Sequence, residues 1–408
     1  MNPTSPRKVL VCVSGMSPAV ITETLYALIT QPEPFIPDEI HVVTTLTGKD
    51  KVLKDLLTPD TGHFHRLMAD WLPGRAIRFD LDTVHVISQE KPGEALLAQN
   101  HPFGGLLGQP VQPEPAALLR TELADIQTNE DNEAAADTIY RVMRQLKARP
   151  GTQLHASVAG GRKSMSFYMG HAFSLLADLD DSLSHVLVSE PFENPRLNFY
   201  YPPRTPQTLS CQDAKGQLQQ VCTADAHIEL AELSVLRLGG FLGQDWPEKA
   251  KNSLSFAVQL AQAALGAPKI KVVRDNSSVA WGWLELCGEK VTLSPLQFTV
   301  FALYALACKH QDELPEGAAL NLQALTQEFW RDLGDASDQY FGVTSDFKTT
   351  PSKIREQLRQ SVGPVEQHFQ IVAVRANPAG RKMLQVAPEQ IELVNLGDWW
   401  KALRHELT

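Results

Sequence analysis

The chain has 408 residues, with 43% hydrophobic and 21% charged side chains and a net charge of −10. That is globular composition, with room for two or three domains, and the acidity argues against broad non-specific nucleic-acid binding while leaving space for one local basic pocket. Five scattered cysteines without a Cys-x-x-Cys pair, no signal peptide and no apolar run of membrane-crossing length predict a reduced, cytoplasmic protein without a membrane partner or zinc site. The first element is a buried parallel strand over residues 8–13. A turn follows, Ser14-Gly15-Met16-Ser17-Pro18, and then a helix over 19–28 with Pro18 placed for its start. A second strand lies within 38–45 and ends in Thr44-Thr45-Leu46-Thr47-Gly48. A polar helix is predicted over 51–71 and a third strand over 77–87. Residues 88–115 are rich in Pro and Gly and read as a long loop, insertion or lid.

Residues 116–148 read as mostly helical, and 153–158 as a strand. Next comes Ala159-Gly160-Gly161-Arg162-Lys163-Ser164, then a helix over 164–179 and a strand over 185–189. Alternating strands and helices predict an α/β, Rossmann-like, mostly parallel sheet over 1–205. Residues 206–267 read as a connector with helices, including one over 228–242. Residues 268–408 read as an α+β, winged-helix-like domain. It has short strands, a Thr292-Leu293-Ser294-Pro295 helix start, a basic helix over 352–361 carrying Lys353, Arg355 and Arg359, and a last hairpin with Arg381 and Lys382 at its tip.

The Gly-Gly-Arg-Lys-Ser stretch is the strongest chemical signal. Two glycines admit positive φ and close backbone approach, a helix N-terminus offers unpaired N–H groups, and two cations follow. Together they predict a phosphate site; the alternative is a tight turn with two solvated cations. It is not a P-loop, because Ala156 stands where the first glycine would be and Arg162 separates Gly161 from Lys163. Both strand–turn–helix junctions fall at the carboxyl ends of strands, where open α/β sheets bind ligands.

The pair Gly15-Met16-Ser17-Pro18 and Ala159-Gly160-Gly161-Arg162-Lys163 resembles CRISPR-associated Rossmann-fold (CARF) domains, most of all the ring nucleases, over about residues 7–203. The resemblance implies a homodimer with a pocket for cyclic oligoadenylate, most often the tetra-adenylate. It also implies cleavage of that ring without metal or other cofactor, which switches off type III CRISPR signalling. The family's catalytic serine and lysine map onto Ser17 and Lys163. Ser14, Gly15, Met16, Thr45, Thr47, Gly160, Gly161, Arg162 and Ser164 are the ligand-binding candidates around them. Residues 268–395 resemble, more loosely, the winged helix of response-regulator transcription factors. This gives a second reading, a ring-gated DNA-binding regulator without turnover, with Lys353, Arg355, Arg359, Arg381 and Lys382 on DNA.

Several roles stay open at this stage. Arg162 can hold a phosphate or pair with a carboxylate. Ser14 lies close enough to Ser17 to compete for its role. Thr45 and Thr47 can bond a nucleoside or cap a helix. His155 reads as a packed strand residue, and His63-x-His65 as an exposed helix feature.

Overall fold

In the computed structural model the described residues are 6–92, 118–212, 218–242, 250, 252–277, 281–311, 329–330, 349–373 and 382–407. The chain divides into two compact units, Met1–Gly239 with Asn252–Leu254, and Gly240–Lys251 with Ser255–Thr408.

The first unit is a six-stranded sheet between two helical layers. Its strands are β1 (Arg7–Val13), β2 (Glu39–Thr44), β3 (Val84–Val86), β6 (Thr152–Ser157), β7 (Ser182–Val188) and β10 (Ile228–Glu232), in spatial order β10-β7-β6-β1-β2-β3. Every neighbouring pair is parallel except β7–β10. Leu10 and Cys12 of β1, with Ile40 and Val42 of β2, pack under α1 (Ala19–Thr30), α2 (Leu46–Asp55) and α3 (His63–Trp71). The alternate residues Val9, Val11 and Val13 are fully buried as well. A strand covered on both faces needs this continuous apolar run. The second layer is α4 (Asn129–Lys147) packed along α5 (Lys163–Leu176).

Several boundaries differ from the sequence reading. The helix predicted over 51–71 is two helices, broken at Gly62, where a Cβ would stand 2.1 Å from the Leu56 carbonyl oxygen. The strand over 77–87 shrinks to β3, because Asp80 caps a 3-10 turn at Leu81–Thr83. Residues 118–122 form β5 (Leu118–Glu122), a strand paired with β4 (Ser88–Pro92). The predicted helix over 228–242 begins as the edge strand β10: half-buried Ile228 and Leu230 flank exposed Glu229, and pairing with β7 decides the outcome. Most of the proposed 88–115 lid lies outside the described residues. The strand β8 (Thr208–Gln212) pairs antiparallel with β9 (Leu218–Cys222).

The second unit is α+β. Strands β11 (Ile270–Arg274), β12 (Gly282–Leu286), β13 (Glu289–Thr292) and β16 (Ile391–Val394) form a sheet in the order β13-β12-β11-β16. The helix Pro295–Lys309 is started by a Ser294/Gln297 capping box with proline at its first turn. A helix at Thr350–Val362 precedes the antiparallel pair β14 (Ile371–Ala373) and β15 (Lys382–Leu384). No helix among the described residues is long and apolar enough to cross a membrane.

Candidate functional site

Strand β1 has β2 on one side and β6 on the other, so the chain order reverses across it. The carboxyl ends of β1 and β6 therefore open on a topological switch point, the place where such sheets leave a crevice. Both glycine-bearing turns lie there and touch. A Cβ on Gly15 would stand 3.2 Å from the Gly161 Cα, and one on Gly160 would stand 2.9 Å from the Val13 carbonyl oxygen and 2.9 Å from Val20 Cγ2. Gly160 and Gly161 have φ of +102° and +70°, where a side chain is strained.

Each turn leads directly into a helix. Pro18 stands at the N-cap of α1 and Arg162 at that of α5, and neither N-terminus receives a side-chain cap. The two positive dipole ends thus converge on the joined turns. The turn after β6 is tied to its own helix: Ser166 Oγ donates to the Val158 carbonyl at 2.7 Å and approaches the Gly160 carbonyl at 3.4 Å. Met165 Sδ occupies the space that a Cβ on Gly161 would enter, at 2.8 Å.

Lys163 is the first residue of α5 and is exposed, with no ion-pair partner among the described residues. Ser164 follows, half-buried. Ser17 and Met16 are exposed in the first turn, whereas Ser14 is fully buried. Burial separates the two serines: only Ser17 presents its side chain to solvent. Ser14 Oγ and Thr44 Oγ1, at successive strand ends, are buried without a hydrogen-bond partner. Thr45 caps α2, its Oγ1 accepting from the Gly48 N–H at 3.3 Å, and Thr47 Oγ1 donates to the Ala124 carbonyl at 2.7 Å. Both threonines therefore have structural partners here.

Arg162 pairs with a carboxylate, Asp125. Its Nε donates to Asp125 Oδ1 at 3.2 Å, and its Nη2 contacts Asp125 Oδ2. That guanidinium holds the Asp125 carboxyl below the usual carboxylate range, with help from the Ile126 N–H. Residues 123–125 run along the ligand end of the sheet. The Leu123 N–H donates to the Ile87 carbonyl at 2.9 Å and its carbonyl accepts from the Leu46 N–H at 2.8 Å, so the segment passes from β3 and β2 toward Arg162. Sequence reasoning missed Asp125, because the acidic stretch around it signals only the start of α4.

His155 is buried on β6, hydrogen-bonded to Ser184 Oγ at 2.7 Å, and burial depresses its pKa to about 4. His63 stacks on Tyr200 with ring centroids 3.7 Å apart, and His65 Nε2 faces the Leu57 carbonyl at 3.4 Å. Of the basic candidates in the second unit, Arg355 pairs with the buried Glu366 at 3.4 Å and Arg359 with Glu356 at 3.3 Å, while Lys353 is exposed. Arg381 and the Lys382 side chain lie outside the described residues.

The family model for CRISPR-associated protein NE0113 matches residues 17–95 and 116–263, more than half of the chain. No curated protein sequence matches. Among solved structures, protein VC1899 from Vibrio cholerae aligns over 98% of this chain and 67% of its own, at 11% identity and a TM-score of 0.23.

Proposed function

The chain belongs to the CRISPR-associated NE0113 family, and from that premise we propose that its first unit binds a cyclic oligoadenylate and cleaves it as a metal-independent ring nuclease. The observation that carries this reading is the contact between the Ser14–Pro18 and Val158–Arg162 turns at the switch point, with two uncapped helix N-termini and Lys163 beside it. A polyanionic ring of phosphodiesters fits an anion cradle of that kind. The acidity of the whole chain favours one local site over a broad basic surface.

The reaction follows from the ligand's chemistry. A ribose 2′-oxygen attacks the adjacent phosphorus, the P–O5′ bond breaks, and the proton lost by the 2′-hydroxyl is balanced by the one gained at O5′. The product is linear, with a 2′,3′-cyclic phosphate at one end and a 5′-hydroxyl at the other. The protein's task is alignment and charge stabilisation. The Lys163 ammonium neutralises charge on the non-bridging oxygens. Ser17 Oγ bonds a phosphate oxygen or orients the 2′-hydroxyl, and the backbone N–H groups of Gly160 and Gly161 complete the cradle. The CARF resemblance supports a homodimer around one ring and tetra-adenylate as the first substrate to try.

A second reading, a ring-gated DNA-binding regulator, is favoured by the helix at Thr350–Val362 followed by the antiparallel β14–β15 pair. Carboxylates already occupy Arg355 and Arg359 on that helix, which weakens its electrostatic case. The two readings part in one assay. Purified protein is incubated with cyclic tri-, tetra- and hexa-adenylate in EDTA, and linear products are followed by chromatography. Cleavage of one ring supports the enzyme. Tight binding without cleavage leaves the sensor, and no binding of any ring overturns both.

A further inference from the structure

The geometry points to Asp125 as a positioning residue that aims the Arg162 guanidinium at a phosphate of the bound ring, an inference that rests on the anion-site reading above. Asp125 takes one edge of the guanidinium, through Nε and Nη2. Arginine has five donors in a fixed planar fork. With that edge taken, both Nη1 protons and the second Nη2 proton remain, and they form the end-on fork that matches two oxygens of one phosphate. A bond to one edge also removes rotation about the terminal torsions, so less ordering remains to be done when the ligand arrives.

The acid is itself held. Asp125 Oδ1 accepts from the Ile126 N–H at 2.8 Å. The preceding residues are anchored across the sheet end, Leu123 by backbone bonds to Ile87 and Leu46, and Ala124 by Thr47 Oγ1. Behind Asp125, Asp131 accepts from the Gln127 and Thr128 N–H groups at 3.0 and 2.9 Å and fixes the entry to α4. Thr47 therefore acts through this anchor. Arg162 is placed from both sides, by the N-cap of α5 at its backbone and by Asp125 at its tip. A surface ion pair without such anchoring would carry little meaning.

The test is a double-mutant cycle on ring binding: wild type, D125A, R162A and the double variant, titrated with cyclic tetra-adenylate at about 0.3 M salt, where the long-range field of exposed charges is screened. Positioning predicts that D125A binds about tenfold more weakly, the scale of one charge-assisted hydrogen bond. It also predicts that D125A adds no loss in the R162A background and that D125N, which keeps one acceptor oxygen, falls between wild type and D125A. Binding by D125A as tight as wild type or tighter, or losses that multiply, overturns the proposal. If wild type binds no ring, the ring-binding reading fails, and the role of Asp125 is read separately. Phenylglyoxal modification of Arg162 in the ligand-free protein, followed by peptide mass spectrometry, runs at least about threefold faster in D125A if the carboxylate holds the guanidinium. Equal rates overturn it.

Discussion

Gly15 and Gly161 meet: a Cβ on the first would stand 3.2 Å from the Cα of the second, although one follows β1 and the other follows β6. The parallel β1–β6 register, Cys12 opposite Ser157, brings the two strand ends level. The close approach depends on Gly15, whose Cβ would crowd the Gly161 backbone, whereas a Cβ on Gly161 would meet Met165 instead. The proposed anion cradle is therefore a joint product of two distant segments, and each glycine does a different job in it.

Gly160 is the most constrained of the three. Its φ is +102°, and a Cβ would press on the Val13 carbonyl at 2.9 Å. Gly151, at φ +72° with nothing within 4 Å, serves as the control for backbone strain alone. We expect G151A to cost about 1 kcal/mol and G160A about 2–3 kcal/mol. G15A costs less stability but pushes the turns apart by a few tenths of an ångström and weakens ring binding more than it lowers the urea midpoint. Urea titrations beside ligand titrations separate the two effects. Equal midpoints for G160A and G151A would sink the packing argument.

In the proposed reaction Lys163 and Ser17 divide the chemistry. Removing a charge aimed at the transition state costs about 10²- to 10³-fold in rate, so K163A loses turnover by that factor with a smaller rise in Kd. S17A loses about tenfold, the scale of a single hydrogen bond. S14A acts on stability, because the Ser14 hydroxyl is buried without a partner and its removal takes away an unsatisfied group. Single-turnover rates for the three variants check the order. A larger rate loss for S14A than for S17A would move the catalytic assignment.

Much of this site was legible in the sequence because it rests on local signals. Paired strand–turn–helix junctions with Gly, Pro and clustered cations are read without knowing the fold, and apolar β1 and β6 announce a parallel sheet. What escaped was set by tertiary pairing. Residues 228–232 became a strand because β7 had a free edge for them, and residues 118–122 paired with β4 instead of extending α4. Asp125 was invisible for the same reason: only the anchoring of Leu123 and Ala124 across the sheet end carries it to Arg162. Between Ser14 and Ser17 the sequence offered the Ser-Pro context and the family pattern, and what it left unread is their burial, Ser14 being buried and Ser17 exposed.

Glu23 sets an alkaline limit on the first unit. It is buried on α1, and desolvation raises its pKa from 4.5 to about 8. The folded state thus prefers the neutral acid. Stability is fully present below the unfolded value near 4.5 and is lost as pH rises through about 8. Ionising this group in the fold costs about 5 kcal/mol relative to the unfolded chain. E23Q, neutral at every pH, is expected to flatten the decline between pH 5 and 9 and to be the more stable protein at pH 9. Thermal midpoints across that range check it. Parallel pH profiles for E23Q and wild type would show that Glu23 ionises freely in the fold.

Histidines of the six-stranded sheet set the opposite limit. Burial depresses His155 to about 4, and burial with the adjacent His41 depresses His85 to about 4. His41 is itself lowered by burial, against the pull of Glu39 on its Nε2 at 3.0 Å, and its Nδ1 lies 2.9 Å from His85 Nε2. The charges around this pair are Arg78, Arg141 and Arg149, with Glu39, which also takes Arg7 and Arg149. For each depressed histidine the neutral form belongs to the fold. For His85 and His155 this contribution is complete above the unfolded pKa near 6.5 and is lost as pH falls through about 4. His85 and His155 then contribute on the order of 3 kcal/mol each to acid unfolding. H155Q keeps a polar group within reach of Ser184 but cannot take up the proton, so it should lose a share of the acid slope between pH 6.5 and 4 while sacrificing some stability at pH 8. Urea midpoints at half-unit steps give both numbers. An unchanged slope in H155Q would mean that His155 is not protonated on acid unfolding, and the acid limit would then rest on the His41–His85 pair alone.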